Sequence, residues 1–226
     1  MSTLGNNLLA QYYAQNIIPT KGLVLYAPLN EIVQNAKTGQ IITYNGQPIK
    51  TEKNGMPCLE FSPNQYMYVN AVNNNPIDTY SASCWMRLED DTITNNGPYF
   101  TVQYGLAFSQ AGYDTRIAFA QKSTQLIGLS YVFIDIFSDI IMEPKKFYHF
   151  VIVYDGTRTY LYINSNNKCV YVHSMNRTSM YILLHTISTD NYHSACTTQY
   201  CGLRYYNRVL SQNEINALYH EFTPTP

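Results

Sequence analysis

Phe147-Tyr148-His149-Phe150-Val151-Ile152-Val153-Tyr154, then Asp155-Gly156-Thr157-Arg158, then Thr159-Tyr160-Leu161-Tyr162-Ile163 reads as a β-hairpin. Two runs rich in β-branched and aromatic residues flank an Asp-Gly pair, the residue types that supply the positive φ angles a tight turn needs. In the second run Tyr160 and Tyr162 point to one face and Leu161 and Ile163 to the other, the period of a half-buried strand. Asn164-Ser165-Asn166-Asn167 makes the next turn and residues 168–173 the next strand.

The same grammar of short apolar runs and polar turns extends outward in both directions. Strands are expected at 23–26, 81–88, 99–102, 116–120, 127–136 and 202–206, with 59–69 broken in two at Ser62-Pro63-Asn64 and an Asn-rich loop over 70–78. Helical spacing occurs only near the ends. Leu4, Leu8, Leu9, Tyr12, Tyr13 and Ile17 form one stripe after possible caps at Ser2 and Thr3, and Pro19 stops it. Ser211-Gln212-Asn213-Glu214 is a capping box, and Ile215, Leu218 and Tyr219 give the apolar face of a short terminal helix. The expected fold is all-β, an antiparallel jelly-roll β-sandwich with an N-terminal helix and a short C-terminal helix. Residues 1–20 form the helical segment, 21–222 the sandwich and 223–226 a tail.

Composition narrows the function. Of 226 residues only 13% are Asp, Glu, Lys or Arg, and the net charge is -1. That leaves no electrostatic footprint for nucleic acid and no basic patch for a membrane surface. No apolar run is long enough to span a bilayer. Residues 1–16 hold neither a basic residue nor an apolar stretch of signal-peptide length, which implies a protein made in the cytosol or exported by another route. Tyr occurs 22 times and Asn equally often. Such a surface binds by stacking and neutral hydrogen bonds. Tyr160, Tyr162 and Tyr171 are the candidate ligand-binding residues, a platform for the apolar face of a sugar. Half-exposed tyrosine is also an ordinary strand residue.

The five cysteines, Cys58, Cys84, Cys169, Cys196 and Cys201, cannot all pair, and the CxxxxC spacing of Cys196 and Cys201 is neither a redox nor a typical zinc pattern. Free thiols are expected, with a Cys196–Cys201 bridge as the alternative. The five histidines lack metal-ligand spacing, and no nucleophile elbow or phosphate loop is present.

Three segments in order carry a resemblance. The first is Gly22-Leu23-Val24-Leu25-Tyr26-Ala27-Pro28-Leu29 with Cys58-Leu59-Glu60-Phe61 and Tyr66-Met67-Tyr68-Val69. The second is the hairpin quoted above. The third is Leu203-Arg204-Tyr205-Tyr206-Asn207-Arg208-Val209-Leu210-Ser211 with Glu214-Ile215 and Leu218-Tyr219. Together they resemble the concanavalin A-like jelly rolls of the laminin-G-like and pentraxin-like branch. The resemblance implies calcium in loops at a sheet edge, for which the chain offers Asp114, Asp190 and Asn191, enough for a weak site; Asx turns are the alternative. It also places Cys84 at one pentraxin disulfide position, with Val151 where the second cysteine would stand. The superfamily's hydrolases carry alternating acids on one strand. Here Asp135 stands between Phe133 and Phe137, so the carboxylate pair is not assembled and no catalysis is expected.

The reading is a non-catalytic binding or structural module of a larger assembly: a bacteriophage virion protein, such as a capsid fibre, decoration or tail component. Its partners would be other subunits, or copies of itself joined through residues 1–18. The alternative is a carbohydrate-binding module at a cell surface or outside the cell. No cofactor is expected beyond weak calcium.

Overall fold

The computed structural model describes residues 18–72, 78–91, 97–104, 115–120, 124–131, 134–172, 180–186 and 194–222. The expected N-terminal helix and the tail lie outside them. Fifteen strands are described: β1 (Leu23–Ala27), β2 (Ile42–Asn45), β3 (Ile49–Lys53), β4 (Met56–Phe61), β5 (Tyr66–Val72), β6 (Tyr80–Leu88), β7 (Tyr99–Tyr104), β8 (Thr115–Ala120), β9 (Leu126–Tyr131), β10 (Ile134–Ile141), β11 (Phe147–Tyr154), β12 (Arg158–Ile163), β13 (Asn166–Val172), β14 (Met180–Leu184) and β15 (Thr198–Tyr206). One helix follows, α1 (Gln212–His220).

The strands form two antiparallel sheets. One runs β13-β12-β11-β6-β15-β4-β3, with β1 as its eighth strand on β15; the other runs β10-β9-β8-β7-β14-β5-β2. The sandwich class is as expected, with more strands than the apolar runs reveal. β2, β3 and β14 were not anticipated, the run 127–136 divides between β9 and β10, and the Asn-rich loop begins only after Val72. β15 starts at Thr198, four residues before the expected Gly202.

The core lies between the sheets. Phe61, Tyr80, Phe100, Phe150, Tyr200 and Tyr205 are among its largest fully buried side chains. Each such burial is worth about 1.5–3 kcal/mol. β6 and β15 are buried at every position, so both of their faces are covered. α1 supplies part of the second cover. Leu210, Ile215 and Leu218 pack on Val151, Val153 and Tyr206, on the outer face of the eight-stranded sheet.

The capping box forms as read. The Glu214 amide donates to Ser211 Oγ, and the Ser211 amide donates to Glu214 Oε2 at 2.8 Å. Arg208 adds a two-pronged bond to Glu214, at 2.9 and 2.6 Å. That bond, first, and Ser211 hold the Glu214 carboxyl down at about 2 against the effect of burial.

β15 has a divided edge. Thr198–Tyr200 pair with β4, and Leu203–Tyr206 pair with β1. Between them the chain must swing from one partner to the other. Gly202 makes the swing at φ +64°, and its amide donates to the Pro28 carbonyl at 2.8 Å.

Candidate functional site

Tyr160 and Tyr162 stand side by side on the outer face of the eight-stranded sheet, ring centroids 6.5 Å apart and planes 39° to each other. Alternation along β12 sends Leu161 and Ile163 into the core and leaves both tyrosines half-buried. They pack against the apolar cluster beneath α1, so the helix forms one wall of an aromatic shelf.

The hairpin turn fixes one end of this shelf. Asp155 Oδ1 accepts from the amides of Thr157 and Arg158 at 2.9 and 2.7 Å, and Asp155 Oδ2 accepts from the Tyr160 hydroxyl at 2.9 Å. Burial would raise the Asp155 carboxyl, but these donors outweigh it and hold the group below the usual carboxylate range. Tyr160 is thereby tied to an ionised turn residue. Burial raises the Tyr162 phenol above its ordinary value, with Tyr160 adding to it.

Neutral amides rim the other end. Gln212 Nε2 donates to the Ser165 carbonyl at 2.7 Å and to Asn216 Oδ1 at 2.8 Å. Val170, opposite Tyr160 on β13, is 42% exposed. Lys168 is held aside by Asp139 at 3.1 Å. Two fixed, half-exposed phenol rings beside amides and a small apolar patch can stack on a flat apolar surface and read hydroxyls.

Tyr171 does not join them. The two-residue turn at Asn164 (φ +49°) and Ser165 (φ +66°) sets Ile163 opposite Asn166. Continued without interruption, that register would put Tyr171 opposite Arg158, on the tyrosine face. A register shift between Leu161 and Tyr162 intervenes, and Tyr171 falls opposite Thr159. One extra residue in β13 thus turns Tyr171 to the inner face, where it packs on the main core.

The candidate calcium ligands Asp114, Asp190 and Asn191 lie outside the described residues, as does the sequon Asn176-Arg177-Thr178. Among the described residues no group of three His, Cys, Asp or Glu could hold a metal ion. Asp135 is exposed on β10, an edge strand.

Two carboxylates do approach each other elsewhere, which the sequence pattern did not reveal. Glu60 of β4 and Glu89, just beyond β6, both accept from Gln199 Nε2 of β15, at 2.6 and 3.0 Å. Lys53 lies 3.8 and 3.6 Å from them, and Arg87 bonds both Glu89 and Gln199. Burial would raise Glu89, but the bonds and charges of Arg87 and Lys53 leave it lowered. The network ties together four strands, β3 through Lys53, β4 through Glu60, β6 through Arg87 and β15 through Gln199.

The cysteines and His149 are sealed from solvent. All five cysteines are free and buried. Burial, chiefly, pushes the Cys58 and Cys169 thiols up to about 11, so they are poor nucleophiles at neutral pH. Cys84 stands opposite Phe150 in the inner core, while Val151 faces out toward α1. The two positions therefore point to opposite sides of the sheet. Cys196 belongs to the inner core and Cys201 to the outer cluster with Trp85, which separates that pair as well. His149 is buried beside Trp85 and Tyr219. Desolvation, then the Arg204 charge, drives its imidazole down to about 3.

A model described as the concanavalin A-like lectin/glucanases superfamily matches residues 61–216. No curated protein matches the chain in sequence. Among solved structures, Trypanosoma rangeli sialidase superposes with a TM-score of 0.67 at 12% identity, over 89% of this chain and 33% of that one. The botulinum neurotoxin serotype D ligand-binding domain, in complex with N-acetylneuraminic acid, gives 0.67 at 13% identity, over 89% and 51%. Domain 4 of AbnA, a GH43 extracellular arabinanase from Geobacillus stearothermophilus, in complex with arabinotriose, gives 0.64 at 11% identity, over 89% and 100%. The chain spans a third of the sialidase, half of the neurotoxin domain and the whole of the arabinanase domain. At these identities the likeness is one of fold.

Proposed function

We propose that this chain, which belongs to the concanavalin A-like lectin/glucanases superfamily, is a non-catalytic glycan-binding module. The observation that carries the reading is the Tyr160–Tyr162 pair, held by Asp155 at one end and walled by α1, with the Gln212 and Asn216 amides at its rim. The arabinanase domain with arabinotriose and the neurotoxin domain with N-acetylneuraminic acid support the ligand class. A glycan array followed by calorimetry on the best ligand tests it. Tyr162→Ala should weaken binding at least tenfold, which is about 1.4 kcal/mol. Absence of any glycan ligand, or affinity unchanged in both Tyr162→Ala and Tyr160→Phe, would refute it.

A place in a larger assembly, such as a phage virion, is a compatible setting for such a module. Its support is the low charge, the Tyr- and Asn-rich composition and the apolar stripe in residues 1–18. Mass spectrometry of purified virions tests the setting. Deleting residues 1–18 tests the anchor: assembly should be lost and the sandwich kept. No helix among the described residues is long and apolar enough to cross a membrane.

A further inference from the structure

β3 closes one side of the eight-stranded sheet. β4 pairs with one of its edges, and among the described residues no strand pairs with the other. Ile49, Lys50 and Glu52 are exposed, Ile49 by 57%. A free edge is a template for another strand, and charged side chains ordinarily discourage that pairing. Here the order of the charges has the opposite effect. In Ile49-Lys50-Thr51-Glu52-Lys53, an antiparallel copy centred on Thr51 sets Lys50 opposite Glu52 and Glu52 opposite Lys50. Centring on Lys50 would set Lys50 against Lys50, and centring on Glu52 would set Glu52 against Glu52, so the charges also select the register.

We propose that β3 pairs with β3 of a second copy, giving a two-fold dimer in which the eight-stranded sheets of both molecules become continuous. The symmetry makes every contact twice. About four to six main-chain hydrogen bonds form along five residues. On the face shared by Ile49, Thr51 and Lys53, Ile49 of each copy meets Lys53 of the other. The Lys53 ammonium is already turned toward Glu60 and Glu89, at 3.8 and 3.6 Å, which leaves its methylenes for the isoleucine. Only charges of this chain are needed, and the tyrosine shelf, toward the other end of the sheet, stays free.

Light scattering on the full chain over about 1 to 500 μM, a range suited to a small interface, tests the dimer. The mass should rise with concentration from 25.9 kDa toward twice that value. Lys50→Glu and Glu52→Lys should each remain monomeric, because each sets like charges opposite one another twice. The double variant Lys50→Glu/Glu52→Lys should dimerise again. Amide exchange in β3 should slow as the wild-type concentration rises. A wild type that stays monomeric throughout overturns the proposal. So does a dimer that survives both single reversals, or a double reversal that fails to restore it. Glycan affinity in the monomeric variants should be unchanged, which keeps this outcome separate from that of the tyrosine shelf.

Discussion

The indole of Trp85 and the ring of Tyr219 stack 5.6 Å apart with 15° between their planes. One belongs to a central strand and the other to the last turn of the terminal helix. His149 lies 4.9 Å from the indole, and Phe222 meets it edge-on at 6.2 Å. Trp85 is the only tryptophan in the chain, so its fluorescence reports on this one contact between sheet and helix.

Tyr219→Ala should therefore detach the end of α1. Indole emission should shift to the red in the native state, and urea unfolding should show a loss of about 2 kcal/mol. Unchanged emission would mean that the helix is held elsewhere.

Acid should weaken the fold earlier than its carboxylates require. The folded protein keeps His149 neutral down to about 3, while an unfolded histidine takes up its proton near 6.5. The unfolded chain thus binds more protons between those values, and stability is intact above about 6.5 and falls as pH drops toward 3. The slope approaches about 1.4 kcal/mol per pH unit. Glu214 loses its contribution only below the ordinary glutamate value, as pH falls toward 2. His149→Phe should flatten the dependence between pH 6.5 and 5 and leave the steeper loss below. Urea midpoints measured at pH 7, 6 and 5 decide the point.

Thiol titration without reductant should count five thiols in the unfolded chain and almost none in the native one, since all five are free and buried. Val151→Cys should raise the unfolded count to six. A bridge from residue 151 to Cys84 would require the sheet to turn one of them over.

Gly202→Ala should cost about 1–2 kcal/mol. The residue sits at φ +64°, and a Cβ there would lie 3.1 Å from a Phe222 ring carbon. Pairing this change with Phe222→Leu should return only the steric share of the loss.

The hairpin of β11 and β12 and the cap of α1 were legible because their signals are local. Asp155-Gly156 and Ser211 with Glu214 each settle their own geometry within four residues. β3 was hidden for the opposite reason: an exposed edge with two lysines and a glutamate carries no apolar alternation. In β15, Thr198-Gln199-Tyr200-Cys201 reads as mixed because both of its faces are buried, one by the second sheet and one by the outer cluster. The placement of two of the three candidate tyrosines on one face followed from the alternation along β12. Tyr171 did not, because the bulge that turns it inward is a property of the β12–β13 pair and of neither strand alone. The Glu60–Glu89–Gln199 brace draws on three distant segments and leaves no trace in any one of them.

The position of β15 bears on how the molecule is made. It is the last of the described strands, yet it pairs with β6, β4 and β1. A ribosome delivers β1 first, and Leu23 finds its neighbour only when Tyr206 has left the exit tunnel. Until then three strands of one sheet lack their common partner, and nascent chains present open edges for much of synthesis. Messages cut short before codon 198 should yield protein that is degraded or bound by chaperones. For this fold, quality control must wait for the one strand that joins β1, β4 and β6.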